Sequence, residues 1–248
     1  MLRFPLGWTL PITVVFCLMA ILASPIGAQE KGELWSKQSF TIPLPELEQL
    51  GATDLKFEVD NRWLDRYSNH YRTHFQGTLV FPIPGWEGWS LEPGYRRQIT
   101  DRPNTDRVYI DRYLLHLNNK REDLFGTGWD FSFRNRWEIL DPEGVSDQVW
   151  RTRFRGKLSK GIPGFKTADR AWKFWVFDEV FYNFETDRLG QNRLASGIDI
   201  PLSQQATLSL GYQWEAVDTG PLGDGWEDNH MILLNFSFNF ENRRELDD

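Results

Sequence analysis

Cysteine, histidine and any surplus of positive charge are what this 248-residue chain has least of. It holds one Cys, four His and three Met, with 28 Lys and Arg against 35 Asp and Glu. The one cysteine, Cys17, lies in an apolar N-terminal stretch without the small residues just upstream that a lipoprotein cleavage site requires. Once that stretch is removed the chain can form no disulfide and carries no thiolate nucleophile. The formal charge is −7, and removing residues 1–28, which hold Arg3 and no acid, gives −7 − 1 = −8. Such a balance argues against nucleic acid as a partner, because phosphate binding rests on clustered Lys and Arg. His70 and His74 are spaced to share a strand face, but no third ligand accompanies them, so no metal site is expected. No glycine-rich phosphate loop stands beside a helix, and no cofactor is expected.

Beyond the first residues, helical periodicity of useful length is missing as well. Met1 to Ala28 combines Arg3, an apolar core from Leu10 to Ala23 and the small-residue end Ile26-Gly27-Ala28. That core is short for a membrane-spanning helix and reads as a cleaved signal peptide. The rest divides into a periplasmic lead-in at 29–53, with a short helix from Pro45 to Leu50 stopped by Gly51, then a barrel at 54–240 and a charged tail at 241–248.

From Asp54 onward the pattern has period two. Trp129, Phe131, Phe133, Asn135, Trp137 and Ile139 alternate with Asp130, Ser132, Arg134, Arg136 and Glu138. Trp150, Thr152, Phe154, Gly156 and Leu158 alternate with Arg151, Arg153, Arg155 and Lys157. Ala206 to Trp214 repeats the pattern, and Leu55, Phe57, Val59 and Trp63 alternate with Lys56, Glu58, Asp60 and Arg62. With weaker runs this predicts about ten strands of roughly 10–13 residues, long beside the usual 5–6 and suited to a tilted bilayer crossing. In two runs the alternation fails: Tyr109, Asp111, Tyr113, Leu115 and Leu117 share one face, and so do Trp175, Phe177, Glu179 and Phe181. A bulge in each, or an interior partly filled by aromatics, would explain it.

Alternation alone does not say which face is inside, since a soluble lipocalin-like barrel has the same period. Trp129 and Trp137, eight residues apart, span about 27 Å of strand, or about 20 Å of height once tilted, near the spacing of two aromatic girdles. Trp150, Tyr212 and Trp214 join them in the expected girdles. The closing run Phe236, Phe238 and Phe240 reads as a terminal strand recognised by barrel-assembly machinery. The expectation is an all-β, up-and-down transmembrane barrel in the outer membrane of a Gram-negative-type bacterium. Export by the general secretory route, contact with lipid and lipopolysaccharide, and an even strand count with both ends in the periplasm complete it.

On that orientation the lumen carries a basic column of Arg134, Arg136, Arg151, Arg153, Arg155 and Lys157. The acids Glu58, Asp60, Glu92, Glu138, Glu179, Asp199 and Glu215 share the inner wall. Matched faces across the turn at 141–146 set arginine against arginine, which the acids must offset. The charges then either seal the lumen as a salt-bridge network or line a path or pocket for an anion. At the rim, Asp224, Glu227, Asp228 and His230 cluster, and a last strand paired with the first would bring His70 close. Asp228 with His230 is the one arrangement suggesting a hydrolase, through a carboxylate orienting an imidazole. His116 and Ser196 both fit an outward-facing position but lie on separate strands.

The segments Phe131-Ser-Phe-Arg-Asn-Arg-Trp137, Trp150-Arg-Thr-Arg-Phe-Arg155, Phe177-Asp-Glu-Val-Phe-Tyr-Asn183, Gln191-Asn-Arg-Leu194 with Gly197, Leu210-Gly-Tyr212 and His230 recur in order. In these the chain resembles the bacterial family known as domain of unknown function 2490, predicted outer-membrane barrels without a settled activity. The resemblance implies location and architecture, and no mechanism. The expected role is structural, or that of a narrow channel or binding barrel for small, including anionic, solutes. A surface hydrolase and a soluble periplasmic binding barrel are the alternatives.

Overall fold

The computed structural model describes residues 33–44, 51–64, 69–101, 106–220 and 225–240. Eleven strands close into one barrel: β1 (Glu33–Pro43), β2 (Asp54–Leu64), β3 (Asn69–Pro82), β4 (Trp89–Thr100), β5 (Val108–Arg121), β6 (Trp129–Pro142), β7 (Val149–Thr167), β8 (Arg170–Asn183), β9 (Arg188–Pro201), β10 (Ala206–Asp218) and β11 (Trp226–Asn239). Among the described residues the only helical piece is a 3-10 turn at Leu124–Gly126. A 14-residue strand such as β6 extends about 46 Å, or about 33 Å of height at a 45° tilt, enough to cross a hydrocarbon layer.

The count is eleven rather than ten because part of the expected lead-in is itself a strand. β1 pairs antiparallel with β2 and parallel with β11, so the barrel closes on its one parallel seam. Glu33, Trp35, Lys37, Ser39 and Thr41 point inward, opposite Met231 to Asn239 of the same parity. On the outward face Ser36 and Gln38 interrupt Leu34, Phe40 and Ile42, which hides the alternation from a reading by hydrophobicity. Phe40 stacks on Phe238 at 5.3 Å and on Phe240 at 6.5 Å between ring centroids, and Ser39 Oγ donates to Ser237 Oγ at 2.9 Å. An odd count also puts the start of β1 and the end of β11 at opposite rims, in place of the shared side expected for ten strands. The expected helix at Pro45 to Leu50, the leader and the tail after Phe240 lie outside the described residues.

Aromatic and aliphatic side chains face out and most charges face in. Phe57, Leu91, Leu115, Trp137, Trp150, Phe154, Leu158, Leu194 and Tyr212 stand exposed on the outer wall, while Arg62, Glu92, Arg96, Arg112, Arg136, Glu138, Arg153, Glu179 and Glu215 are buried within. The two irregular runs resolve differently. β5 keeps unbroken register with both neighbours and sends Asp111 outward, where Arg97 pairs with it at 2.6 Å and the Tyr95 hydroxyl donates to it. β8 turns Trp175, Phe177, Glu179 and Phe181 inward, opposite Ser159, Lys157, Arg155 and Arg153, and its shift in pairing with β9 comes only after Phe181. Around the seam Leu208, Leu234 and Phe236 pack with Leu34, Leu210 and Phe238.

Turns are short. β7 and β8 join through Ala168 and Asp169, both at positive φ, the backbone of a two-residue hairpin turn. Leu202 to Gln205 connects β9 to β10. The connection between β10 and β11 is confined to 219–225, because the two strands remain paired out to Asp218 and Trp226.

The seam is directly testable in a Cys17→Ser background. A chain carrying Ser39→Cys and Ser237→Cys should form a disulfide on oxidation, seen as an electrophoretic shift that reductant reverses, because the two positions are direct partners. Two free thiols under the same conditions would place β1 outside the barrel wall.

Candidate functional site, the charged lumen

Cross-strand register builds the site. β6 and β7 pair so that Arg134 faces Arg155, Arg136 faces Arg153 and Glu138 faces Arg151, while on the far side of β7 Arg155 faces Glu179. Like charges directly opposite destabilise a sheet. Two glutamates offset them. Glu138, whose side chain is 0% exposed, accepts from Arg151 at 2.5 Å, from Arg153, and from Arg136 at 3.4 Å, with Arg112 at 3.9 Å. Glu179 accepts from Arg134 at 3.0 Å and Arg193 at 3.4 Å, with Arg153 at 3.9 Å. Arg193 also pairs with Glu215.

The inward aromatics of β8 and β1 complete this layer. Phe181 lies under Arg193, Arg153 and Arg151 at 4.5, 5.0 and 5.6 Å, and Trp35 lies between Arg62 at 3.4 Å and Arg193 at 5.0 Å. A ring face offers a guanidinium about 0.5–2 kcal/mol, and it fills volume that a carboxylate would leave open. Trp35, Trp175, Ala195, Met231 and Leu233 form an apolar cluster beside the charges, with Phe177 against it. Mid-barrel is therefore packed side chain, in keeping with a barrel of modest strand number.

Toward the rim where β11 ends, the lumen opens into a cavity of about 1040 Å³. Arg134, Arg155, Lys157, Lys173, Trp175 and Phe177 line it with Lys37, Lys56, Glu92 and Asp199. Lys56 pairs with Glu92 at 2.5 Å, Lys37 with Glu58 at 3.3 Å, Lys173 with Asp130 at 2.6 Å and Lys157 with Asp199 at 3.8 Å.

The basic column Arg134, Arg136, Arg151, Arg153, Arg155 and Lys157 thus stands on the inner face, as do Glu58, Asp60, Glu92, Glu138, Glu179, Asp199 and Glu215. Trp129, Trp137, Trp150, Tyr212 and Trp214 stand on the outer face. Arg62 joins the network from the charged face of β2, while Arg96, Arg112, Arg193 and the inward Trp35 belong to it without a clear strand pattern to mark them. Arg96, Arg112 and Arg193 lie in runs whose period two is blurred by Pro93-Gly94, Asp111 and Asn192.

The histidine expectations change. The pairing of β2 with β3 slips between Arg62 and Trp63, so His70 and His74 fall on opposite faces. His70 packs edge-on to Trp63 outside, while His74 is buried inside, 3.6 Å from Asp60. His116 also points inward, 3.8 Å from Glu92 and away from outward Ser196. Among the described residues no cluster of His, Cys, Asp and Glu is arranged to hold a metal ion.

At the rim, Asp228 and His230 both face outward on β11, and His230 Nδ1 bonds the Tyr212 hydroxyl. β1 and β2 separate β11 from β3, so His70 is three strand spacings away, about 14 Å, and does not join them. Asp224 lies outside the described residues.

Residues 32–222 match the sequence model of the family described as Protein of unknown function (DUF2490). The match spans β1 to β10 and so includes the N-terminal half, well beyond the C-terminal segments that carry the resemblance by eye. No curated protein and no solved structure matches the chain.

Glu138→Gln tests the network. Removing one partner of a buried ionic cluster costs about 3–5 kcal/mol, because four guanidinium groups lose their shared counter-charge. The urea midpoint of the refolded barrel should fall sharply, whereas Glu143→Gln at the rim should shift it by less than about 0.5 kcal/mol.

Proposed function

We propose that this chain, which belongs to the DUF2490 family of proteins of unknown function, crosses the outer membrane of a Gram-negative-type bacterium as a barrel whose mid-lumen is closed by its own charges. Its role on this reading is structural or small-solute binding, without catalysis. The leader at 1–28 directs export through the general secretory route, and the outward Phe236 and Phe238 with Phe240 present the terminal strand to the assembly machinery. Lipid and lipopolysaccharide then surround the wall. The end of β11 faces the periplasm, so the cavity opens on that side and the start of β1 reaches the outer surface.

One observation carries the reading: the wall is apolar outside and ionic inside, the reverse of a soluble binding barrel. Trp137, 40% exposed, stands outward beside buried Arg136 and Glu138 on the same strand. Water offers no reason to expose Phe57, Leu115, Phe154, Leu158 and Leu194 while burying arginines, whereas acyl chains do. Outward tryptophans also gather toward both rims, Trp129 and Trp172 near the end of β11 and Trp137, Trp150 and Trp214 near its start, as interfacial girdles require. The outward ion pair of Arg97 with Asp111 and Glu143 lies near the latter rim, at headgroup height.

Leu194→Arg separates lipid from water. A cation on the lipid-facing wall costs about 2–4 kcal/mol near mid-membrane, and the variant should fold poorly into bilayers. A soluble barrel would tolerate it without change. In electrophoresis the wild-type protein should migrate differently before and after boiling, and it should give no stable current in planar bilayers. Steady single-channel steps would overturn the closed lumen, and those steps losing anion preference in Arg134→Gln with Arg136→Gln and Arg153→Gln would establish an anion path instead.

A further inference from the structure

We infer that the cavity at the β11-terminal rim is a binding site for a compact amphiphilic anion, a carboxylate or phosphate on a ring or short apolar body, held by Arg155 beside the Trp175 and Phe177 rings. The inference rests on the closed lumen proposed above, which makes the cavity a blind pocket, and it does not depend on membrane placement.

Charge pairing leaves two of the cations lining the cavity over, and one of them, Arg170, donates to the Ser203 and Gln204 carbonyls at 3.1 Å. Lys37, Lys56, Lys157, Lys173 and Arg134 each have a carboxylate within 4 Å. Arg155 has none among the described residues. Register is the cause: its partner on β6 is Arg134, and its partner on β8 is Glu179, whose oxygens already serve Arg134, Arg193 and Arg153. The Arg155 guanidinium instead stands 5.5 Å over the Phe177 ring. An inward guanidinium without a counter-ion favours an arriving anion, and its planar fork suits carboxylate or phosphate.

The floor is aromatic and held in place. Trp175 stacks on Phe177 at 5.8 Å with planes 11° apart. Its indole lies against Gly197 and Gly211, where an added Cβ would come within 2.4 and 2.7 Å of the ring, so only glycine admits it. The inward polar atoms buried in the cavity wall that have no partner among the described residues include Trp175 Nε1 and Arg134 Nε. Both are donors. A ligand rich in acceptors matches them, and a cation or an amine does not. The volume suits a molecule of drug-like size at most.

The test is calorimetric titration of the full mature chain, refolded in non-ionic detergent, with 2-naphthoate, its neutral carboxamide and inorganic phosphate. Naphthoate should saturate at one per chain, and Arg155→Gln should weaken it by about tenfold or more, as loss of a charge-assisted contact does. Arg155→Lys should weaken it by a smaller factor than Arg155→Gln, since the charge remains and the planar fork is lost. The carboxamide should show no saturable binding, and phosphate should compete weakly. Equal affinity in wild type and Arg155→Gln, equal binding of the carboxamide, or phosphate binding tighter than naphthoate would each overturn the proposal.

The boiling-dependent mobility shift checks that each variant is folded. If Arg155→Gln loses that shift, Arg155→Lys and Lys157→Gln carry the test: weaker naphthoate binding in Arg155→Lys than in Lys157→Gln supports the site, and undiminished affinity in a folded Arg155→Lys refutes it. Stable current blocked by naphthoate would refute the closed lumen and keep the site. A folded barrel that neither conducts nor binds naphthoate refutes the site alone.

Discussion

The ionic layer around Glu138 and Glu179 is what the rest of the barrel is arranged to support. A closed sheet of eleven strands encloses more volume than a single apolar core would fill when the outer wall already takes the apolar residues. Long arginines reaching inward solve the space problem, and they introduce a charge problem. Two buried glutamates, each shared by several guanidinium groups, hold the layer together, and the rings of Phe181 and Trp35 take the faces that carboxylates do not reach. Such a network is worth little over a hydrophobic filling of equal volume, yet breaking it is costly. It therefore ties the strands to one register.

The seam shows the same dependence on register. β1 enters parallel to β11, which lets the barrel close with an odd count and sets its two ends at opposite rims. Its inward residues supply Trp35 to the arginine layer and Lys37 to Glu58, while Phe40 knits its outer face to Phe238 and Phe240. Without β1, Arg62 and Arg193 would lose the ring between them. Closure and the interior network are thus one construction.

Asymmetry along the axis follows from where aromatics turn inward. Toward the start of β11 the lumen is filled by arginine, glutamate and Phe181. Toward its end Trp175 lies against Gly197 and Gly211, and a cavity opens with unpartnered inward donors. Asp228 and His230 face outward, with the Tyr212 hydroxyl on His230, on the other side of the wall from this interior pocket.

Much of this was legible from residue order. Period two over 55–62 in β2, 129–139 in β6, 150–158 in β7 and 206–214 in β10 separated the faces, because pairing runs without a slip over those residues. The opposition of Arg134 and Arg136 to arginines of β7 followed from a short turn and matched faces. Other features depend on partners distant in sequence. On its outward side β1 breaks Leu34, Phe40 and Ile42 with Ser36 and Gln38, and it pairs with a strand some 200 positions away, so no local pattern marks it as part of the wall. The slip at Arg62 and Trp63, which parts His70 from His74, is a property of two paired strands and not of either alone. The inward turn of Trp175, Phe177 and Phe181 reads as an error in hydrophobic patterning until the arginines of β7 and β9 are seen above the rings. What residue order determined was the alternation and the inventory of charges; closure by an eleventh strand, the sharing of two glutamates and the inward Arg155 left without a carboxylate were decided only when the ends of the sheet met, since each is a relation across strands.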